Sequence, residues 1–164
     1  MNKTVIIIPS RLDALRLPNK PLKLINKKEM ILHVYEAAKK TNADEVYVAT
    51  PNQEIFDVVK NFGGKAILTS NTHQTGTDRI FEVFKEILKS EPKIIINLQG
   101  DMPNIEPKVI KDLILYMEKD KCDIGTLASE LGSNTELEDR NVVKVLTEEK
   151  LKPGMFSEAL DFSR

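Results

Sequence analysis

Val5-Ile6-Ile7-Ile8-Pro9 is a run of four β-branched side chains stopped by a proline. It does not alternate apolar with polar, so both of its faces need covering, which is the situation of a strand inside a parallel sheet. Residues 45–49, 65–68 and 93–98 have the same character. Between and after these strands, apolar residues recur at helical spacing: Ile31, Val34, Tyr35 and Ala38; Ile55, Val58, Val59 and Phe62; Ile110, Leu113, Ile114 and Met117. Gly63-Gly64 closes the second of these helices. A further helix follows residue 77, with Thr77 as its N-cap and Ile80, Phe81, Phe84, Ile87 and Leu88 as its apolar stripe. Parallel neighbours need crossover connections, so this alternation predicts a doubly wound α/β fold with a mainly parallel sheet covered on both faces. Two later strands are expected at 123–128 and 142–146, with a polar connection at 129–140 between them.

The chain has 164 residues, enough for one domain with a real core, and the expectation is a single domain over 1–164. Its 24 Lys and Arg against 25 Asp and Glu leave a formal charge of −1, which argues against broad neutralisation of a nucleic-acid backbone. The apolar runs are far below the ~20 residues of a membrane span. The N-terminus lacks a secretory pattern, so neither nucleic acid nor membrane is an expected partner and the cytoplasm is the expected compartment. One cysteine, Cys122, excludes an internal disulfide; it reads as a packed thiol, and His33 as an exposed side chain off its helix stripe.

Ligands of open parallel sheets bind outside the carboxyl ends of the strands, which directs attention to three loops. The first, 8–22, carries Arg11, Arg16, Lys20 and three prolines. It reads either as a stiffened cationic clamp for phosphate, held by side-chain charge instead of a glycine-rich turn, or as a solvated loop. The second is Asn97-Leu98-Gln99-Gly100-Asp101. Asp101 is either a carboxylate placed to hold Mg²⁺ against a substrate phosphate or part of a turn, and the Gln99 amide is able to read a base edge. The third, Thr72-His73-Gln74-Thr75-Gly76-Thr77-Asp78-Arg79, concentrates donors and acceptors that suit a base, ribose or sugar, or else it is a polar loop before a capped helix.

Together, in this order, the loops resemble the nucleotidyltransferases that activate acidic sugars with CTP, and most specifically the 3-deoxy-manno-octulosonate (Kdo) cytidylyltransferase, or CMP-Kdo synthetase, family. The family signature I-P-[AS]-R-x-x-S-x-R-L-P-x-K-P-L is met in register by Ile8, Pro9, Ser10, Arg11, Arg16, Leu17, Pro18, Lys20, Pro21 and Leu22. Val48-Ala49-Thr50, His73 to Arg79, Asn97 to Asp101 and Asn141 to Val145 match further family segments, so the resemblance covers essentially the whole chain. It implies a sheet of the nucleotide-diphospho-sugar transferase type. It also implies transfer of CMP from CTP to Kdo with loss of pyrophosphate, for lipopolysaccharide biosynthesis, with Mg²⁺ as cofactor and a homodimer as the complete assembly. Carried over residue by residue, Arg11, Lys20 and Asp101 are the implied catalytic residues, with Asp101 the metal ligand. Pro9, Ser10, Arg11, Arg16, Lys20, Gln74, Thr75, Arg79 and Gln99 are the implied nucleotide- or substrate-binding residues. Sialic acid enzymes carry a Lys-Gly-Ile-Pro variant near Arg16-Leu17-Pro18, so a sialic acid acceptor is the weaker alternative.

The chain departs from the family where Gly is usual (Asn19), where Glu is usual (Met102), where an acidic residue is usual (Pro51) and where Pro is usual (Arg140). Leu160-Asp161-Phe162-Ser163-Arg164 resembles a family segment followed by more chain that carries a second metal aspartate, much of the Kdo pocket and the dimer contact. The expectation is therefore an N-terminal portion lacking that part, either active or a nucleotide-binding remnant without turnover.

Overall fold

The run near the start of the sequence becomes one of the two inner strands of the sheet. In the computed structural model, which describes residues 3–12, 17–86, 88, 92–119 and 122–164, Thr4–Pro9 forms β1 and is buried along its whole length. The elements that follow are β2 (Leu24–Ile25), β3 (Lys28–Glu29), α1 (Met30–Lys39), β4 (Glu45–Thr50), α2 (Gln53–Asn61), β5 (Ala66–Leu68), α3 (Gly76–Glu86), β6 (Ile94–Asn97) and α4 (Pro107–Lys119). β1 pairs in parallel with β4 on one side (Val5 opposite Glu45) and with β6 on the other (Thr4 opposite Ile94). β5 extends the β4 side in parallel, giving the order β5-β4-β1-β6.

Alternate residues of β1 serve two cores. Ile6 and Ile8 join Val46, Val48, Ile94 and Ile96 under α1, α2 and α4, where Ile31, Val34, Ile55, Val59, Ile110 and Ile114 are buried. Val5 and Ile7 join Ala49 and Ile67 under α3, against Ile80 and Val83. Helices on both faces of a parallel sheet confirm the doubly wound expectation. Each fully buried Ile or Val stabilises this packing by roughly 1.5–3 kcal/mol.

The chain divides into two compact units, Met1–Asp120 and Lys121–Arg164. In the second, a short helix α5 (Asn134–Glu138) precedes an antiparallel pair, β7 (Lys144–Thr147) with β8 (Ala159–Ser163). The strand expected at 123–128 does not form: the segment is exposed throughout, Ile124 at 89%, and among the described residues no ladder partner satisfies its backbone. The connection at 129–140 is not all loop, since it contains α5. Cys122 is exposed instead of packed, and His33 is half-buried, with Nε2 hydrogen-bonded to the Ile25 carbonyl at 2.8 Å.

The α3 stripe also differs from expectation. Ile80, Val83 and Leu88 are buried, Phe81 is 59% exposed, and Ile87 lies outside the described residues. Its N-cap is Thr75, not Thr77. Thr75 Oγ1 accepts from the Asp78 amide at 3.1 Å, while Asp78 Oδ2 accepts from the Thr75 amide at 3.2 Å and hydroxyl at 2.7 Å. This reciprocal box satisfies helix-end donors, and the Thr75 hydroxyl bond holds the Asp78 carboxyl below its ordinary value. Among the described residues no helix is long and apolar enough to cross a membrane.

Candidate active site

The chain runs from β1 outward through β4 to β5 and then returns to place β6 on the other side of β1. A sheet reversing its direction of growth in this way leaves a crevice at the carboxyl ends of the two strands flanking the switch. There the structure has a cleft of about 310 Å³. Its walls include Pro9, Ser10 and Arg11 from the end of β1, Lys20 and Pro21 from the first loop, His73, Thr75, Gly76 and Arg79 around the start of α3, and Gln99, Gly100 and Asp101 after β6.

The three walls approach closely because two of them lack a side chain. A Cβ on Gly100 would lie 3.0 Å from the Pro9 carbonyl oxygen and 3.4 Å from Ser10 Cβ, and one on Gly76 would lie 3.1 Å from Pro9 Cγ. Ser10 is tied to the sheet by its amide, which donates to the Ala49 carbonyl at 2.9 Å. Its Oγ is buried with no hydrogen-bond partner among the described residues, an orphaned polar atom in the cleft wall. Next to it, the Leu12 amide donates to Asn52 Oδ1 at 3.0 Å. Asn52 stands in the N-cap position of α2, but its side chain fastens the first loop instead of the helix end.

Lys20 begins a 3-10 turn, Lys20–Leu22, whose Pro21 is buried and whose Leu22 packs against the core under α1. The residue before it, Asn19, has φ 55. That is the left-handed region, where Gly is least strained and Asn is the best-tolerated replacement. From this turn Lys20 Nζ donates to Asp101 Oδ2 at 2.8 Å. Arg79 is only 3% exposed, and its Nη1 donates to Thr69 Oγ1 and to the Ser70 carbonyl, the latter at 2.9 Å. Burial is the main influence lowering its pKa; nearby Glu82 opposes that shift and Arg11 adds to it.

Of the residues singled out from sequence, Pro9, Ser10, Arg11, Lys20, Thr75, Arg79, Gln99 and Asp101 line this one cleft. Gln74 is exposed and is not part of the lining, and Arg16 lies outside the described residues. Gln99 donates its amide to Asn97 Oδ1 at 2.8 Å. Asp101 is the only carboxylate among the described lining residues, and no group of three or more potential metal ligands occurs among the described residues. Sequence reasoning did not single out Glu82, which accepts from the Ser70 amide and contacts His73 Nε2. The only signal was its place three residues after Arg79, on the same helix side.

The cleft therefore gathers cations, one carboxylate and neutral hydrogen-bonding groups, a combination suited to an anionic ligand with a polar head. Comparisons with known proteins place the chain among relatives. The chain is 44% identical, over 99% of its length, to a 3-deoxy-manno-octulosonate cytidylyltransferase 2 of Actinobacillus pleuropneumoniae, and covers 62% of that protein. It is 43% identical, over 97% of its length, to the 3-deoxy-manno-octulosonate cytidylyltransferase of Glaesserella parasuis, covering 60% of it. The chain thus spans about three-fifths of these relatives. Among solved structures it resembles a CMP:2-keto-3-deoxy-manno-octonic acid synthetase complexed with CTP, with TM-score 0.82 and 39% identity over 98% of this chain and 64% of that one. A 4-diphosphocytidyl-2C-methyl-D-erythritol synthase, at TM-score 0.63 and 16% identity over 99% of this chain and 72% of that one, shares the fold. Finally, the cytidylyltransferase family profile matches residues 5–164, and the chain belongs to that family.

Proposed function

We propose that this chain is the nucleotide-binding portion of a CTP-dependent nucleotidyltransferase that activates Kdo, giving CMP-Kdo and pyrophosphate for lipopolysaccharide assembly. The observation that carries the reading is the cleft at the switch point, where Arg11, Lys20 and Asp101 meet beside a neutral polar wall. The names of the 43–44% identical relatives supply the acceptor. In this reading residues 1–164 are part of one nucleotidyltransferase domain, since the family match runs through both units. A cytoplasmic homodimer is the corresponding working form.

In the reaction, the anomeric hydroxyl oxygen of Kdo forms a bond to the α-phosphorus of CTP. The bond from that phosphorus to the bridging oxygen breaks, pyrophosphate leaves with the electron pair, and the hydroxyl proton passes to solvent. Arg11 and Lys20 bind the triphosphate and neutralise the charge that grows on the departing pyrophosphate. The Ser10 backbone and the Gln99 amide orient the base, and the groups of the third loop bracket the nucleoside. One exposed carboxylate fits Mg²⁺, which typically takes one or two protein carboxylates and completes its shell with water and substrate phosphate. Asp101 would hold that ion, which when bound adds positive charge at the phosphates.

Pyrophosphate release by the 164-residue chain, with CTP and Mg²⁺ and with Kdo, a sialic acid or no acceptor, tests this reading. Release that requires Kdo is the expected result. Release with the sialic acid alone moves the acceptor. CTP binding without release under any condition identifies a nucleotide-binding chain without turnover.

A further inference from the structure

One side chain at the edge of the cleft, Glu82, has no assigned part in the reaction. Glu82, three residues after Arg79 on α3, accepts from the Ser70 amide with both carboxylate oxygens, at 3.1 and 3.0 Å, and its Oε2 also contacts His73 Nε2. Arg79 meanwhile donates to the Ser70 carbonyl at 2.9 Å. The amide and the carbonyl of Ser70 are therefore gripped by two side chains one helical turn apart. The Glu82 and His73 side chains are only 18% and 20% exposed, so water competes weakly for these bonds. His73 and Arg79 line the cleft, whereas Glu82 is not among its lining residues.

We propose that Glu82 is a positioning residue for the nucleotide, holding the loop from Thr69 to Thr75, and His73 within it, in the shape that the cleft wall presents. The inference rests on the reading of the cleft as a nucleotide site. With Nε2 directed at a carboxylate, the His73 ring presents that nitrogen as the donor to Glu82. The same carboxylate also acts on Arg79, whose pKa it holds up against the lowering effect of burial.

The sign of the effect separates positioning from plain electrostatics. A carboxylate beside a triphosphate cleft repels the ligand, so loss of its charge alone tightens CTP binding. Loss of a positioning carboxylate weakens binding, because the loop has to be ordered by the ligand itself. The test is calorimetric titration of CTP into the 164-residue chain as wild type, Glu82→Ala, Glu82→Gln and Glu86→Ala, with amide hydrogen exchange across 69–76 and across β1. Glu86 is an exposed carboxylate on the same helix and serves as the charge control.

The expected result is about tenfold weaker CTP binding for Glu82→Ala and about threefold for Glu82→Gln, which keeps one acceptor oxygen, with Glu86→Ala close to wild type. Exchange accelerates across 69–76 but not across β1. CTP binding that is unchanged or tighter in folded Glu82→Ala overturns the proposal, as does weakening accompanied by faster exchange in β1. Where Glu82→Ala does not fold, Glu82→Gln decides by the same criteria. A wild-type chain with no CTP affinity removes the underlying reading as well, and so is distinguished from failure of the Glu82 role alone.

Discussion

Lys20 Nζ lies 2.8 Å from Asp101 Oδ2, joining two loops 81 residues apart in the chain. Both partners keep substantial contact with solvent, 34% for Lys20 and 54% for Asp101, so the pair contributes little to stability. Under the proposed function its consequence is for binding: a triphosphate would compete with Asp101 for the lysine. Asp101→Asn is therefore expected to tighten metal-free CTP binding about threefold, and to abolish the gain in affinity on adding Mg²⁺. Lys20→Ala is expected to weaken CTP binding about tenfold, with turnover lost in both variants. Titrations with EDTA and with Mg²⁺ check this. A retained Mg²⁺ response in Asp101→Asn would remove Asp101 as the metal ligand.

Gly100 brings the β6 loop against the end of β1. A methyl group there meets the Pro9 carbonyl oxygen at 3.0 Å, and a backbone atom cannot turn aside as a flexible side chain would. Gly100→Ala is expected to cost about 1–3 kcal/mol and to weaken CTP binding, because relief requires the two cleft walls to separate. Urea unfolding and CTP titration measure the two effects. Wild-type values in both would show that the walls have slack.

The fold was legible because its evidence is local. Four β-branched runs and the amphipathic helices between them specify a parallel sheet, and the cations and carboxylate stand in loops that such a sheet brings to one end. The pairing of Lys20 with Asp101 was not legible, since it depends on β6 lying beside β1, which no short stretch records. Glu82 escaped because helical periodicity marks apolar positions, whereas its role comes from hydrogen bonds to a loop 12 residues earlier. The strand expected at 123–128 failed for a related reason: Ile124-Gly125-Thr126-Leu127 has strand-like composition, but composition does not report whether a ladder partner exists. The cap of α3 was readable in principle, as Thr75-x-x-Asp78 fits a capping pattern better than Thr77 does.

Asn19 holds a left-handed backbone, and its φ of 55 decides which replacements are tolerated. Asn19→Gly relieves the left-handed backbone while giving the unfolded chain more freedom, so stability should stay within about 0.5 kcal/mol of wild type. Asn19→Ala puts a side chain without local polar contacts in the same conformation and should cost about 1 kcal/mol. Because the Asn19 carbonyl accepts from Leu22 at 3.0 Å in the turn that carries Lys20, CTP binding should weaken with Ala and not with Gly. Chemical denaturation and CTP titration compare the two, and equal behaviour would contradict the strain argument.

Glu45 gives the fold a predictable acid sensitivity. Its carboxylate accepts from Lys65 Nζ and lies 3.8 Å from Lys3 Nζ, and the Lys65 hydrogen bond is the main cause of a pKa below the ordinary 4.5. A carboxyl whose folded pKa is depressed releases its proton more readily in the folded state. The stabilisation is therefore complete above the unfolded value and is lost as pH falls below about 4.5 and through the folded value. Glu36, held down chiefly by its hydrogen bond to Lys28, acts in the same direction. Lys65 is largely exposed, which limits the Glu45 contribution to at most about 1 kcal/mol. Glu45→Gln should lower stability by that amount at pH 7 and flatten the decline between pH 5 and 3, with the two proteins converging at the acid end. Urea midpoints across that range measure the slope, and parallel curves for wild type and variant would show that Glu45 has no differential protonation on folding.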